Sequence, residues 1–187
     1  MTTRLRTLTL ALAALLLAAA AGAQHSPYVE HTNRDIKALS AQEIDDLLHG
    51  RGMGLALAAE LNGYPGPKHV LELAEDLGLS EEQRAAVARV HQAMETEAVE
   101  LGRKLVDAER RLDALFAGGE ATSEALRTAL DQIADLTAAL RHAHLDAHLA
   151  TKAVLSEEQV RRYDELRGYA DGGHGRHHPG PHQGHGR

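Results

Sequence analysis

No cysteine occurs in the 187 residues, and neither does tryptophan. Without thiols, disulfides and thiolate metal ligands are both excluded, so any bound metal must be held by His, carboxylate or Met. Phe116 is the one phenylalanine, and β-branched residues are few beside abundant Ala, Leu, Glu and Arg. That composition suits long helices with thin contacts and speaks against a thick core. Nucleophile–base pairs, phosphate-binding loops and zinc-protease motifs are also missing. Carboxylates such as Glu95, Glu97 and Glu100 belong to a charged helix face, so no enzyme is expected.

Acidic residues are absent before Glu30, whereas Arg4 and Arg6 give a short basic start. An Ala/Leu-rich run over residues 8–21 follows, and Ala21-Gly22-Ala23 is a small-x-small cleavage signal. The run is shorter than the roughly 20 apolar residues of a membrane span. Residues 1–23 therefore read as a cleavable signal peptide, with no stable span afterwards. Removing Arg4 and Arg6 leaves 18 Lys and Arg against 27 Asp and Glu, a net charge near −9 with histidines neutral. A chain so acidic is a poor partner for nucleic acid, whose phosphates call for a basic face.

Residues 24–39 look extended or loosely held, and a helical domain is expected over 40–170. Ser40-Ala-Gln-Glu43 is a capping box and predicts a first helix from there to about Leu61, weakened by Gly50, Gly52 and Gly54. Asn62-Gly63-Tyr64-Pro65-Gly66-Pro67 breaks it, and a short helix from Lys68 to Leu77 precedes Gly78. Leu79-Ser80-Glu81-Glu82-Gln83 recurs as Leu155-Ser156-Glu157-Glu158-Gln159, each a capped helix start with Gln as the capping-box partner of Ser. Between the two copies lie two long amphipathic helices, about Glu81 to Ala117 and Thr122 to Lys152. Their seams, Val87, His91, Met94, Ala98, Leu101, Leu105, Ala108, Leu112 and Leu115, then Leu126, Leu130, Ile133, Thr137, Leu140, His144, Ala147 and Thr151, alternate spacings of four and three. The short Gly118-Gly119 turn makes them antiparallel neighbours. A last helix runs from Ser156 to about Tyr169. The fold class is all-α, an antiparallel helical hairpin of four to five helices with coiled-coil-like seams. Residues 171–187, rich in Gly, His and Pro, read as a disordered tail, one able to hold Zn²⁺, Cu²⁺ or Ni²⁺ loosely.

Histidine is the unusual signal, at 13 residues. His144 and His148 are four apart, so both rings leave one helix face and can approach a single ion. Antiparallel pairing about the turn sets His91 level with His148 and Met94 close to His144. At a seam position, His91 or His144 reads either as a metal ligand or as a polar residue setting helix register. His49 and Met53, also four apart, form a second candidate pair in the first predicted helix. His142 falls on another face.

The doubled Leu-Ser-x-x-Gln segments resemble the LTxxQ motif of the Spy/CpxP family of periplasmic proteins, with Ser keeping the capping hydroxyl where the family commonly has Thr. Residues 52–73 are similar to the heavy-metal-resistance branch, which includes CnrX-like metal sensors and ZraP-like zinc-binding chaperones. The resemblance implies a hooked helical hairpin, often a homodimer, in the Gram-negative periplasm. It implies a divalent transition metal, Zn, Ni, Co or Cu, in a sensor or buffer of the envelope-stress or metal-resistance response. The nearest matches to the ligands of CnrX-like members are His49-x₃-Met53 and His144-x₃-His148, with Glu60 or Glu72 in the place of the carboxylate. An ATP-independent holdase chaperone is the alternative implied. Unfolded periplasmic clients or an envelope signalling protein are the corresponding partners.

Overall fold

Ser40 starts the first helix as its capping box requires. Its hydroxyl accepts the Glu43 N–H, and the Glu43 carboxylate accepts the Ser40 N–H at 2.8 Å. The structure, a computed structural model that describes residues 26–170, is built from helices alone among those residues. They are α1 (Ala41–Leu48), α2 (Leu57–Glu60), α3 (Pro67–Glu72), α4 (Glu81–Ala117), α5 (Ser123–Val154) and α6 (Glu157–Leu166). The signal peptide expected at 1–23 and the tail expected at 171–187 lie outside the described residues. Among the described residues no helix is long and apolar enough to cross a membrane.

Three expectations need correction. The first helix does not reach Leu61. It ends at Leu48, because Gly50 and Gly54 take φ of +61° and +77°, which no helix contains, and the chain resumes as the separate turn α2. The short helix α3 stops at Glu72 and continues as turns to Gly78. Residues 26–39 are not loosely held: a 3-10 turn spans Val29–Asn33, and Ile36 is fully buried. Asp113 anchors that segment by accepting the Lys37 N–H at 3.0 Å.

The hairpin of α4 and α5 is the spine. α1 crosses α4 at Gly102, where a Cβ would lie 2.0 Å from the Leu47 carbonyl oxygen. Only hydrogen at that position lets two backbones approach so closely. This crossing builds one apolar cluster, with Ile36, Leu47, Ala98, Leu105, Val106 and Leu140 at its centre. The seam on α5 departs from expectation at Thr137, which is exposed and bonds back to the Ile133 carbonyl, while Leu136 packs inward. A second cluster, Val70, Leu77, Val87 and Tyr163, joins α3 and α6 to the base of the hairpin.

At that base the two repeated motifs clasp each other. Each Gln oxygen accepts the N–H of its own capping Ser. Each Gln amide nitrogen then reaches across. Gln83 donates to the Val154 carbonyl and to Gln159, at 3.0 and 2.9 Å, and Gln159 donates back to Gln83 at 3.1 Å and to the Leu77 carbonyl at 3.3 Å. Caps that look local in sequence are therefore one tertiary contact, which fixes how α6 returns against the start of α4.

Candidate metal centre

Between the two apolar clusters the seam turns polar. His91 and Met94 on α4 face His144, Ala147 and His148 on α5 across a cleft of about 440 Å³, and the 49–57 segment and α3 complete its rim. All five residues singled out from the sequence, His49, Met53, His91, His144 and His148, line this one cleft. So do Met94 and His69; the second was not anticipated. His142 is exposed, as its face predicts.

Ring orientation is informative. His148 is largely buried, and its Nδ1 donates to the Tyr64 carbonyl at 2.7 Å. The proton is therefore on Nδ1, and Nε2 carries the free lone pair. His49 caps the end of α1 with its Nδ1 2.8 Å from the Asp45 carbonyl and 3.1 Å from the Asp45 carboxylate. His69 Nδ1 lies 2.7 Å from the Glu72 carboxylate. Three rings thus have Nδ1 committed to an oxygen, the outer contact that orients metal-ligating histidines and raises their basicity. His144 is 5 % exposed, and its buried Nε2 has no hydrogen-bond partner. Burial, with His148 adding to it, holds the His144 imidazole below the ordinary histidine range, so it stays neutral and keeps a lone pair.

Glu60 is the second residue that explains the site. It is 7 % exposed, and its Oε1 accepts the Tyr163 and Tyr169 hydroxyls at 2.5 and 3.1 Å. Its Oε2 accepts the Gly66 N–H at 3.1 Å and stands 3.7 Å from His148 Nδ1, while Arg167 Nε stands 3.6 Å from Oε1. A buried carboxylate needs this many donors to remain charged. Burial and the Glu60 charge in turn drive the Tyr163 hydroxyl far above its usual range, so it remains a donor. Gly66 keeps room for the ring, since a Cβ there would sit 3.0 Å from His148 Cε1. The network joins α2, the 61–66 loop, α5 and α6 around the inner wall of the cleft. Nothing in the spacing of Glu60 and Tyr163 pointed to it, because the contact spans 103 residues.

The residues fit a transition metal: imidazole nitrogens, one of them buried and unpartnered, beside thioethers. Among the described residues no three His, Asp or Glu side chains are gathered tightly enough to close around an ion as they stand. The donors line opposing walls, and His49 and Met53 come from the glycine-rich rim.

The sequence pattern of the LTXXQ motif family matches residues 67–167, more than half of the chain. The chain belongs to this family. No curated protein and no solved structure matches it. Membership makes it a Spy/CpxP-like protein of a generally periplasmic family. The match takes in both clasped motifs, His69, His91, Met94, His144, His148 and Tyr163, whereas His49, Met53 and Glu60 precede it.

Proposed function

We propose that this LTXXQ protein is a periplasmic transition-metal-binding protein, a sensor or buffer in the metal-resistance or envelope-stress response, and not an enzyme. One observation carries the reading: five histidines line a single cleft, three with Nδ1 tied back to oxygen and one, His144, with a buried, unpartnered Nε2. His144 and His148 would form the inner pair of ligands, with His91 opposite and His49 and Met53 closing from the rim. A bound divalent ion would gather these elements, and a change of helix packing is what a signalling partner or a second protomer would read.

The test is calorimetric titration of the mature chain with Zn²⁺ and Ni²⁺, beside His144→Ala/His148→Ala. Binding stronger than micromolar that the double variant loses supports the site. A variant that binds as wild type overturns it and assigns the heat to the tail histidines.

The second reading is a holdase chaperone. It is favoured by the apolar side chains left in solvent, Leu57, Leu61, Phe116, Leu130 and Leu149, each more than half exposed. Suppression of light scattering from an unfolding client, without ATP, supports it. Unchanged traces at several-fold molar excess remove it.

A further inference from the structure

Beyond Met1 the chain has two methionines, Met53 and Met94, and both line the histidine cleft. Resting on the reading of this cleft as a metal site, we propose that it is tuned for a soft monovalent ion, Cu(I), and that the two thioethers confer the preference.

Two observations converge. The thioethers come from opposite sides: Met94 is half-buried on α4, one turn beyond His91, and Met53 stands on the rim. Met53 holds φ +43°, the sole non-glycine residue with positive φ among those described. Its neighbours Gly52 and Gly54 would suit such a turn without strain, so an unbranched thioether is placed there against local backbone preference.

Secondly, the oxygen donors near the cleft are engaged, except Glu95 of α4, which lines it beside Met94. Glu60 accepts from two tyrosines and a backbone amide, Glu72 is paired with His69, and Asp45 and Asp46 hold Arg51. Recruiting any of them to a hard ion would break those contacts. Beside Glu95, what remains free is nitrogen and sulfur, donors that favour Cu(I) over ions that seek several carboxylates.

The experiment uses the full mature chain, so that the tail contributes equally to every variant. Cu(I) affinity is measured anaerobically by competition with a chromophoric Cu(I) chelator, and Zn²⁺ affinity by calorimetry, for wild type, Met94→Leu, Met53→Leu and His144→Ala. Met→Leu conserves volume and keeps the packing. Met94→Leu should weaken Cu(I) by about tenfold or more and leave Zn²⁺ unchanged, whereas His144→Ala weakens both. Ag(I), a stable stand-in, should shift the ε-methyl NMR signals of Met53 and Met94. Unchanged Cu(I) affinity in both methionine variants, with His144→Ala still weakening Zn²⁺, overturns the soft-ion proposal and leaves the metal site intact. Equal losses for both ions in Met94→Leu likewise overturn it, as a packing effect. If His144→Ala alters neither ion, both readings fall.

Discussion

Leu130 and Leu140 stand on one helix, in one seam, yet Leu140 is 3 % exposed and Leu130 is 52 % exposed. The difference is set by what lies over the hairpin. Around Leu140 a third layer, α1 and the segment carrying Ile36, covers the two long helices and turns a seam into a core. Toward the Gly118-Gly119 turn there are two helices alone, and Leu112, Leu115 and Leu126 are only partly buried. Two helices cannot enclose a side chain; three can. The site lies within the covered half, between the two apolar clusters. That placement gives His144 its burial and Glu60 its need for so many donors.

The comparison is broken most forcefully by removing the third layer. Gly102→Ala puts a methyl group 2.0 Å from the Leu47 carbonyl oxygen, and neither backbone can yield cheaply. We expect about 3 kcal/mol of destabilisation in urea unfolding, the upper end for overpacking. A loss below about 1 kcal/mol would mean that α1 is not held against α4 as described.

Tyr163→Phe should follow in size. It takes from a buried carboxylate its shortest hydrogen bond, 2.5 Å, while leaving the ring in the second cluster. A bond to a charged group is worth about 2 kcal/mol. Glu60→Gln combined with Tyr163→Phe should lose less than the two single changes together, because the charge that needed the donor has gone. Strict additivity would show that the two groups do not interact.

The repeated motif gives a smaller, coupled effect. Gln83→Ala and Gln159→Ala each remove a capping contact and one side of the amide pair. Their double-mutant cycle should show a coupling of about 1 kcal/mol. Two purely local caps would be additive.

Much of this half of the fold was legible, and the reason is locality. Ser40, Ser80 and Ser156 cap from within four residues, so their capping boxes could be read directly, and all three are present. The seam was legible on α4 because its spacing depends on that helix alone. The break after Leu48 was underestimated: three glycines counted as weak helix formers say nothing of the positive φ that two of them adopt. The buried Ile36 and the Glu60 network depend on segments distant in sequence, which periodicity cannot reveal. His69 was missed because a lone histidine beside Glu72 is indistinguishable from a surface pair until α3 is docked at the rim.

Acid should act on the covered half through His144. In the unfolded chain His144 titrates near 6.5, and its burial lowers that value in the fold. Between the two values the unfolded chain binds more protons, so the contribution is complete above about pH 6.5 and is lost as pH falls through that window. With metal removed by chelator, His144→Leu should gain on wild type as pH drops from 7 to 5. Parallel stability curves for the two proteins would place the His144 ring in solvent.

The most direct test of the comparison sets a large loss against the smallest. Leu140→Ala in the three-layered region should cost about 3 kcal/mol, whereas Leu130→Ala, whose side chain is half in water already, should cost about 0.5 kcal/mol. Unfolding midpoints at low protein concentration decide it. A Leu130→Ala loss that approaches that of Leu140→Ala, and that shrinks on dilution, would mean that the two-helix end is itself covered by another copy of the chain. The missing third layer would then be supplied between protomers instead of within one.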